Sequence, residues 1–235
     1  MYILSVDSST RFCSVAVHRD GTEVFSTRSR VEKSASSMLT VLVQTAADAA
    51  GIGLEAIDAF AVGAGPGSYT GLRVATSVVK GLCFALDKPL VAVNTLEAMA
   101  LQVRKSVSAT AGMIDDPALL FVPMIDARRM EVYCAIFDYQ GKMVGDTSAV
   151  IVESSSFETW LEKGRVVFFG DGAAKCRSVL QHSPNAVFWE SEIHPEASFV
   201  GELACGCFLN GDLEDAAAFE PFYLKEFMSK PGAAV

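Results

Sequence analysis

Three runs of strand length open the chain, Tyr2 to Val6, Cys13 to His18 and Thr22 to Ser29, their apolar positions either continuous or alternating with polar ones. Between the second and third, Asp20-Gly21 supplies the residue types of a two-residue hairpin turn. From Ser34 to Ala50 apolar positions recur at helical spacing until Gly51 stops them. Ile57 to Gly63 is a short apolar strand, Thr70 to Leu86 has helical length, and Leu90 to Val93 follows Pro89 as a strand. Asn94 or Thr95 is placed to cap a further helix running to about Lys105. Hairpin-linked strands followed by alternating helix and strand predict an α/β fold, a mixed sheet covered by helices.

Residues 106–117 shift to Ser, Ala, Thr, Gly, Asp and Pro, which marks a domain edge and divides the chain into lobes at 1–106 and 107–235. Beyond it the opening pattern returns. Leu120 to Ile125 is a strand ended by Asp126, Ala127-Arg128-Arg129-Met130 is a turn, and Glu131 to Phe137 is the next strand. Setting Asp7 on Asp126 places Cys13 to Val17 on Val132 to Ile136 without a gap, a weak internal repeat that favours two related lobes over one sheet. Strands follow at Thr147 to Val152 and Val166 to Phe169, with helices at Ser155 to Glu162, after Gly170-Asp171-Gly172-Ala173, and from Pro195 to about Leu209. Pro221-Phe222-Tyr223-Leu224-Lys225 is apolar enough to dock, so the last helix or the tail is free to pack back on the first lobe, while Ser229 to Val235 is expected to fray.

Composition narrows the function. The 235 residues are 51% apolar and 20% charged, so the chain is globular, and its formal net charge is −9 with a pI near 4.8. An acidic chain lacks the concentrated Lys and Arg that hold phosphate backbones, so RNA is expected to be reached only through a partner. Cys13, Cys83, Cys134, Cys176, Cys205 and Cys207 show no paired spacing and look like reduced core thiols. His18, His182 and His194 are scattered, so neither a metal site nor a cofactor is expected. No basic leader precedes Asp7 and no apolar run has spanning length, which points to a cytoplasmic protein without membrane contact.

The candidate chemistry is sparse. Gly65-Pro66-Gly67-Ser68-Tyr69-Thr70-Gly71-Leu72-Arg73 joins a strand to a helix through a turn that allows close backbone approach, with Ser68 or Thr70 as the cap. Such a loop can hold an anion or a partner's backbone, or serve only as a tight turn. Asp7-Ser8-Ser9-Thr10 at a strand end has the residue types of a phosphate-holding hairpin, and Asp126 begins a second one, so the pair resembles the two-lobed actin-like ATPase layout. Ser8 stands where Gly would admit phosphate, and Arg128-Arg129-Met130 replaces small residues in the second turn, so Asp7, Ser8, Ser9, Asp126 and Arg128 read as a degenerate nucleotide cleft. Ser68 breaks the Gly-x-Ser-x-Gly spacing and has no candidate triad His, which argues against a serine hydrolase. The helix at 34–50 carries Asp48 as its only charge, and the helix at 70–86 only Arg73 and Lys80. Helices apolar beyond one stripe need a second cover, which is either the other lobe or a partner.

Asp7-Ser8-Ser9-Thr10, the nine-residue glycine motif, Ile125-Asp126-Ala127-Arg128 with Glu131-Val132-Tyr133, and Pro221-x-Tyr223-Leu224-Lys225 occur in this order over nearly the whole chain. In these motifs the sequence resembles the TsaB (YeaZ) family. The resemblance implies two tandem RNase H-like lobes of the actin-like ATPase (ASKHA) type without an intact ATP site. It implies a non-catalytic scaffold that dimerises with a TsaD homologue, works alongside a TsaE ATPase in threonylcarbamoyl transfer to the adenosine next to the anticodon, and forms a homodimer when alone. The implied partner surface comprises Met38, Leu39, Leu42 and Ala46, the loop Gly65, Pro66, Gly67, Ser68, Tyr69, Thr70 and Gly71, and then Arg73, Val74, Val78 and Leu82. A glycoprotease (M22) label follows some relatives, but the paired histidines it would need have no counterpart here. The chain departs from many relatives at Lys33-Ser34-Ala35-Ser36 and Leu39-Thr40, where they carry a His-Ser-Glu-like start and a Leu-Pro.

Overall fold

The structure is a computed structural model, and it describes residues 1–30, 35–109 and 116–225. The first sheet contains β1 (Tyr2–Asp7), β2 (Phe12–Arg19), β3 (Thr22–Arg30), β4 (Ala59–Gly65) and β5 (Leu90–Asn94), in the order β3-β2-β1-β4-β5. The second contains β6 (Leu120–Asp126), β7 (Glu131–Phe137), β8 (Met143–Ile151), β9 (Val166–Phe169) and β10 (Ala186–Phe188), in the order β10-β9-β6-β7-β8. Numbered from the first strand of each, the two sheets have the same order and the same pairing: an antiparallel meander of three strands, then two parallel additions. The two sheets thus form tandem lobes with the RNase H-like strand order. The Asp20-Gly21 turn has positive φ at both residues, as a tight hairpin with the strand twist requires.

Helices α1 (Ala35–Ala49) and α2 (Tyr69–Leu86) lie together on the outer face of the first sheet. Leu39, Val43 and Ala46 of α1 and Ala75, Val79 and Cys83 of α2 close on Leu4, Val6, Val15, Phe60 and Val62. Each fully buried Leu or Phe there contributes about 1.5–3 kcal/mol of transfer free energy. On the outer face of the second sheet α4 (Glu158–Leu161) and α5 (Ala173–Leu180) bury Leu161, Ala173, Cys176 and Leu180 against Val122, Met124, Val132 and Phe168.

The inner faces exchange helices. α3 (Thr95–Ala109) follows the first sheet in sequence, yet Leu96, Met99, Val103 and Val107 pack on Phe121, Ile125, Phe137 and Phe169 of the second. α6 (Ala197–Asn210) follows the second sheet and returns to the first, where Val200, Ala204 and Cys205 meet Ile3, Ala59, Ala61 and Val91. Small residues make that approach close: a Cβ on Gly201 would stand 2.4 Å from His18 Nδ1 and 2.7 Å from Ser5 Oγ. Ser5 Oγ donates to the Ala197 carbonyl at 2.7 Å, and Ser14 Oγ accepts from Ala197 N–H at 2.9 Å, which locks the start of α6 to β1 and β2.

Two expectations shift: the helix over Ser155 to Glu162 is a single turn, and β8 begins at Met143 rather than Thr147. The three-residue β10 is an addition, its apolar run too short to mark a strand in the sequence. The helix start at Ser34, Lys33 and the expected fraying of Ser229 to Val235 lie outside the described residues, as do 110–115 of the domain edge.

The gap-free match of Asp7 to Asp126 is one residue out. Val6 pairs with Val15 on the first sheet, whereas Met124 pairs with Cys134 on the second, and Val15 and Cys134 both face outward. Val6 therefore corresponds to Met124, Asp7 to Ile125, and Asp126 stands one step further along. Because strand side chains alternate, that step sends Asp7 and Asp126 to opposite faces of their sheets.

Candidate functional site

The glycine loop does not open onto a cavity; it closes down on the β1–β2 turn. Ser68 N–H donates to the Ser9 carbonyl at 2.6 Å, and Ser8 Oγ donates to the Gly71 carbonyl at 2.7 Å. A Cβ on Gly67 would lie 2.5 Å from the Ser9 carbonyl oxygen, and one on Gly71 only 1.9 Å from that of Ser8. These glycines are required because two backbones touch there. Gly65, at φ +111°, donates its N–H to Thr95 Oγ1 at 3.1 Å, and Ser68 Oγ caps α2 by accepting from Gly71 N–H at 3.4 Å. Asn94, not Thr95, caps α3, accepting from Leu96 N–H at 2.8 Å.

Asp7, just before the β1–β2 turn, is fully buried like Ser9, with Ser8 almost so, and its Oδ2 lies against Gly63 of β4. Its Oδ1 accepts from Ser9 N–H at 3.0 Å and Ser9 Oγ at 2.9 Å, while Oδ2 has no partner among the described residues. Burial pushes its carboxyl up to about 6, against the lowering effect of the Ser9 hydrogen bonds. Asp126 has the opposite surroundings. It is exposed, ion-paired with Lys175 of α5, and accepts from Arg128 N–H at 2.8 Å. Partial burial works to raise its carboxyl, but Lys175 and the Arg128 amide together hold it below the usual range. Arg128 is exposed at the tip of this turn.

The outward side of α1 and α2 sets two exposed apolar side chains among small and polar ones, Gln44 and Asp48 included, with Gln44 Nε2 donating to Asp48 Oδ1 at 2.8 Å. On α1, Met38 and Leu42 are half-buried, Thr45 and Ala49 are exposed, and Val41 is 64% exposed. On α2, Val74, Val78 and Leu82 are half-buried, Ser77, Gly81 and Ala85 are exposed, and Phe84 is 92% exposed. Leu39 and Ala46 are fully buried against the sheet and Gly65, Pro66 and Gly71 are buried in the loop, so these five serve the monomer's core and no outer surface. Ser68, Thr70 and Arg73 are exposed, while Tyr69 and Gly67 are half-buried. Sequence reasoning missed Val41 and Phe84. Helical stepping from Val74 through Ser77, Val78, Gly81 and Ala85 would have indicated the outward stripe, because core positions alternate with it.

The segment after α6 straps the loop in place. Glu214 N–H donates to the Leu90 carbonyl at 2.9 Å, and Phe222 N–H to that of Ala64 at 2.8 Å. Lys80, one of the two charges on α2, is spent on the strap, donating to the Ala217 and Phe219 carbonyls at 3.1 and 2.9 Å. Tyr223 packs on Tyr69 with ring centroids 5.0 Å apart, and Arg73 donates to the Tyr69 hydroxyl at 3.2 Å. Lys225 then reaches the second lobe as the ion partner of Glu131.

Two cavities lie elsewhere. One of about 320 Å³ is lined by His18, Glu23, Lys105, Phe199 and Glu202, and one of about 410 Å³ by Ile136, Asp146, Val150, Phe157 and Trp160. Neither includes Asp7 or Asp126. The six cysteines are free, and burial pushes the Cys13 and Cys83 thiols up to about 11 and Cys134 to about 12. Among the described residues no cluster of His, Cys, Asp and Glu is arranged to hold a metal, and no helix is long and apolar enough to cross a membrane.

Residues 29–222 match the family model described as TsaD, tRNA N6-adenosine threonylcarbamoyltransferase. The tRNA threonylcarbamoyladenosine biosynthesis protein TsaB of Escherichia coli strain K12 is 28% identical over 229 residues, covering 96% of this chain and 95% of its own. The protein of the same name from Haemophilus influenzae is 34% identical over 131 residues, 56% of this chain and 51% of its own. Among solved structures, YeaZ from Pseudomonas aeruginosa superposes with a TM-score of 0.78 at 28% identity, covering 95% of this chain and 99% of the other.

Proposed function

The chain belongs to the TsaD family, with its named relatives TsaB and YeaZ and a role in tRNA threonylcarbamoyladenosine biosynthesis, and we propose that it fills that role as a non-catalytic scaffold that dimerises with a TsaD homologue and activates it. The observation that carries this reading is the outward side of α1 and α2. In a chain of net charge −9, these two helices present Phe84 and Val41 to solvent and also expose the small residues Thr45, Ser77, Gly81 and Ala85. Small residues let a second pair of helices approach closely, and an exposed aromatic is the kind of anchor that carries binding energy. A TsaD homologue is the fitting occupant because a related fold offers an equivalent helix pair, and a second copy of the chain takes its place when none is present. A TsaE ATPase belongs to the larger assembly in this reading.

The non-catalytic half of the proposal is supported by the first hairpin. Asp7, the carboxylate best suited by sequence to serve a phosphate-holding turn, is fully buried, bonded to Ser9 and closed against Gly63 of β4, where a Cβ would stand 2.0 Å from its Oδ2. Reconstituted transfer of the threonylcarbamoyl group to tRNA tests the whole reading. A TsaD homologue should need the chain for full activity, and Phe84→Glu should remove the stimulation while the variant stays folded. Full activity without the chain, equal stimulation by Phe84→Glu, or ATP turnover by the chain alone would contradict it.

A further inference from the structure

The turn between β6 and β7 places two arginines in backbone geometry that does not suit them. Arg128 and Arg129 have φ of +72° and +51°, the left-handed region that costs a residue with a Cβ about 1–2 kcal/mol and that Gly or Asn enters readily. The turn is closed by Ala127 N–H to the Glu131 carbonyl and Glu131 N–H to that of Arg128, both at 3.1 Å. Both arginines are exposed, and among the described residues neither guanidinium forms a salt bridge. The nearby acids are already engaged: Asp126 pairs with Lys175, Glu131 with Lys225, and Asp171 Oδ1 accepts Asp126 N–H at 2.9 Å. Arg128 adds to the field that holds Asp126 low, yet a strained turn that keeps two exposed guanidiniums outside any described salt bridge on an acidic protein points to an anionic ligand.

We infer that Arg128 and Arg129 contact the phosphate backbone of tRNA when it binds the assembly, a local direct contact that departs from the expectation drawn from net charge and that rests on the scaffold reading above. Guanidinium groups suit phosphate oxygens through paired N–H donors, and two such contacts anchor an RNA without reading its sequence. Free nucleotide offers the same phosphate chemistry, so the test needs both ligands.

The test variant is Arg128→Asn with Arg129→Gly, two residues that accept left-handed backbone, so the turn should be at least as stable as in the parent. With the TsaD homologue bound, this double variant should hold tRNA about tenfold more weakly, and the slope of log affinity against log salt should become shallower by about 1.5–2. Arg128→Glu with Arg129→Glu should weaken it further, and ATP titration of all three proteins should give the same response. Unchanged tRNA affinity and salt slope in both variants, with the complex intact, would overturn this inference alone. A response to the variants confined to ATP would overturn it in favour of a nucleotide site. Failure of the parent chain to join the TsaD homologue would bring down the scaffold reading and this contact with it.

Discussion

The β1–β2 and β6–β7 hairpins occupy the same place in two sheets of identical strand order, and each carries an aspartate near the end of its first strand. Asp7 is buried against β4 with one oxygen unpartnered among the described residues; Asp126 stands in solvent against Lys175. One residue of register separates them, and in a strand one residue decides which face a side chain takes. A duplicated topology thus keeps its hydrogen-bonded frame while a single step turns one turn into core and leaves the other as surface.

The sharpest way to break this contrast is at Gly71. Its Cβ would meet the Ser8 carbonyl at 1.9 Å, where backbone faces backbone and neither yields cheaply. Gly71→Ala should cost more than about 3 kcal/mol and lower Tm by roughly 10 °C. Gly81→Ala, on the same helix with nothing within 4 Å, should instead stabilise by up to about 1 kcal/mol. Thermal melts that move both variants the same way would remove the close-packed loop from the account.

Asp7 gives the next effect. Its folded carboxyl titrates at about 6 against an ordinary 3.8, so between those values the folded chain holds a proton that the unfolded chain has released. Stability should therefore fall by about 3 kcal/mol as pH rises through that window and stay level above it. Asp7→Asn should abolish this slope, and the difference between denaturation midpoints of parent and variant from pH 4 to 8 isolates it. An equal slope in both would show that Asp7 is not the proton-linked group.

Asp126→Asn should have the smallest effect, below about 1 kcal/mol, because an exposed ion pair contributes little. Its carboxyl is held low, so the small stabilisation is present at neutral pH and lost as pH falls below the ordinary carboxylate range. A loss as large as that of Gly71→Ala would erase the distinction between buried and surface turns.

Much of this was legible in the sequence, for physical reasons. Continuous apolar runs such as Val166 to Phe169 gave strands, and Asp20-Gly21 announced its turn through residues that tolerate positive φ. The glycine motif was visible as a close-approach loop, but its occupant, the chain's own Ser8–Ser9 backbone, depends on contacts distant in sequence. Leu39 and Ala46 belong to the expected partner surface but are core, because a core stripe and an interface stripe use the same residues and the sheet beneath decides between them. The return of the last helix to the first lobe is among the expectations, but the crossing of α3 to the second sheet is hidden, because composition does not say which sheet an apolar helix will cover.

The central claim is that the outward side of α1 and α2 is a docking surface with Phe84 at its heart. The most direct measurement is the dissociation constant of the TsaD homologue for the parent chain and for Phe84→Glu, with circular dichroism confirming that the variant is folded. The account predicts a loss of more than about thirtyfold, the scale of a binding hot spot. An unchanged constant would contradict it.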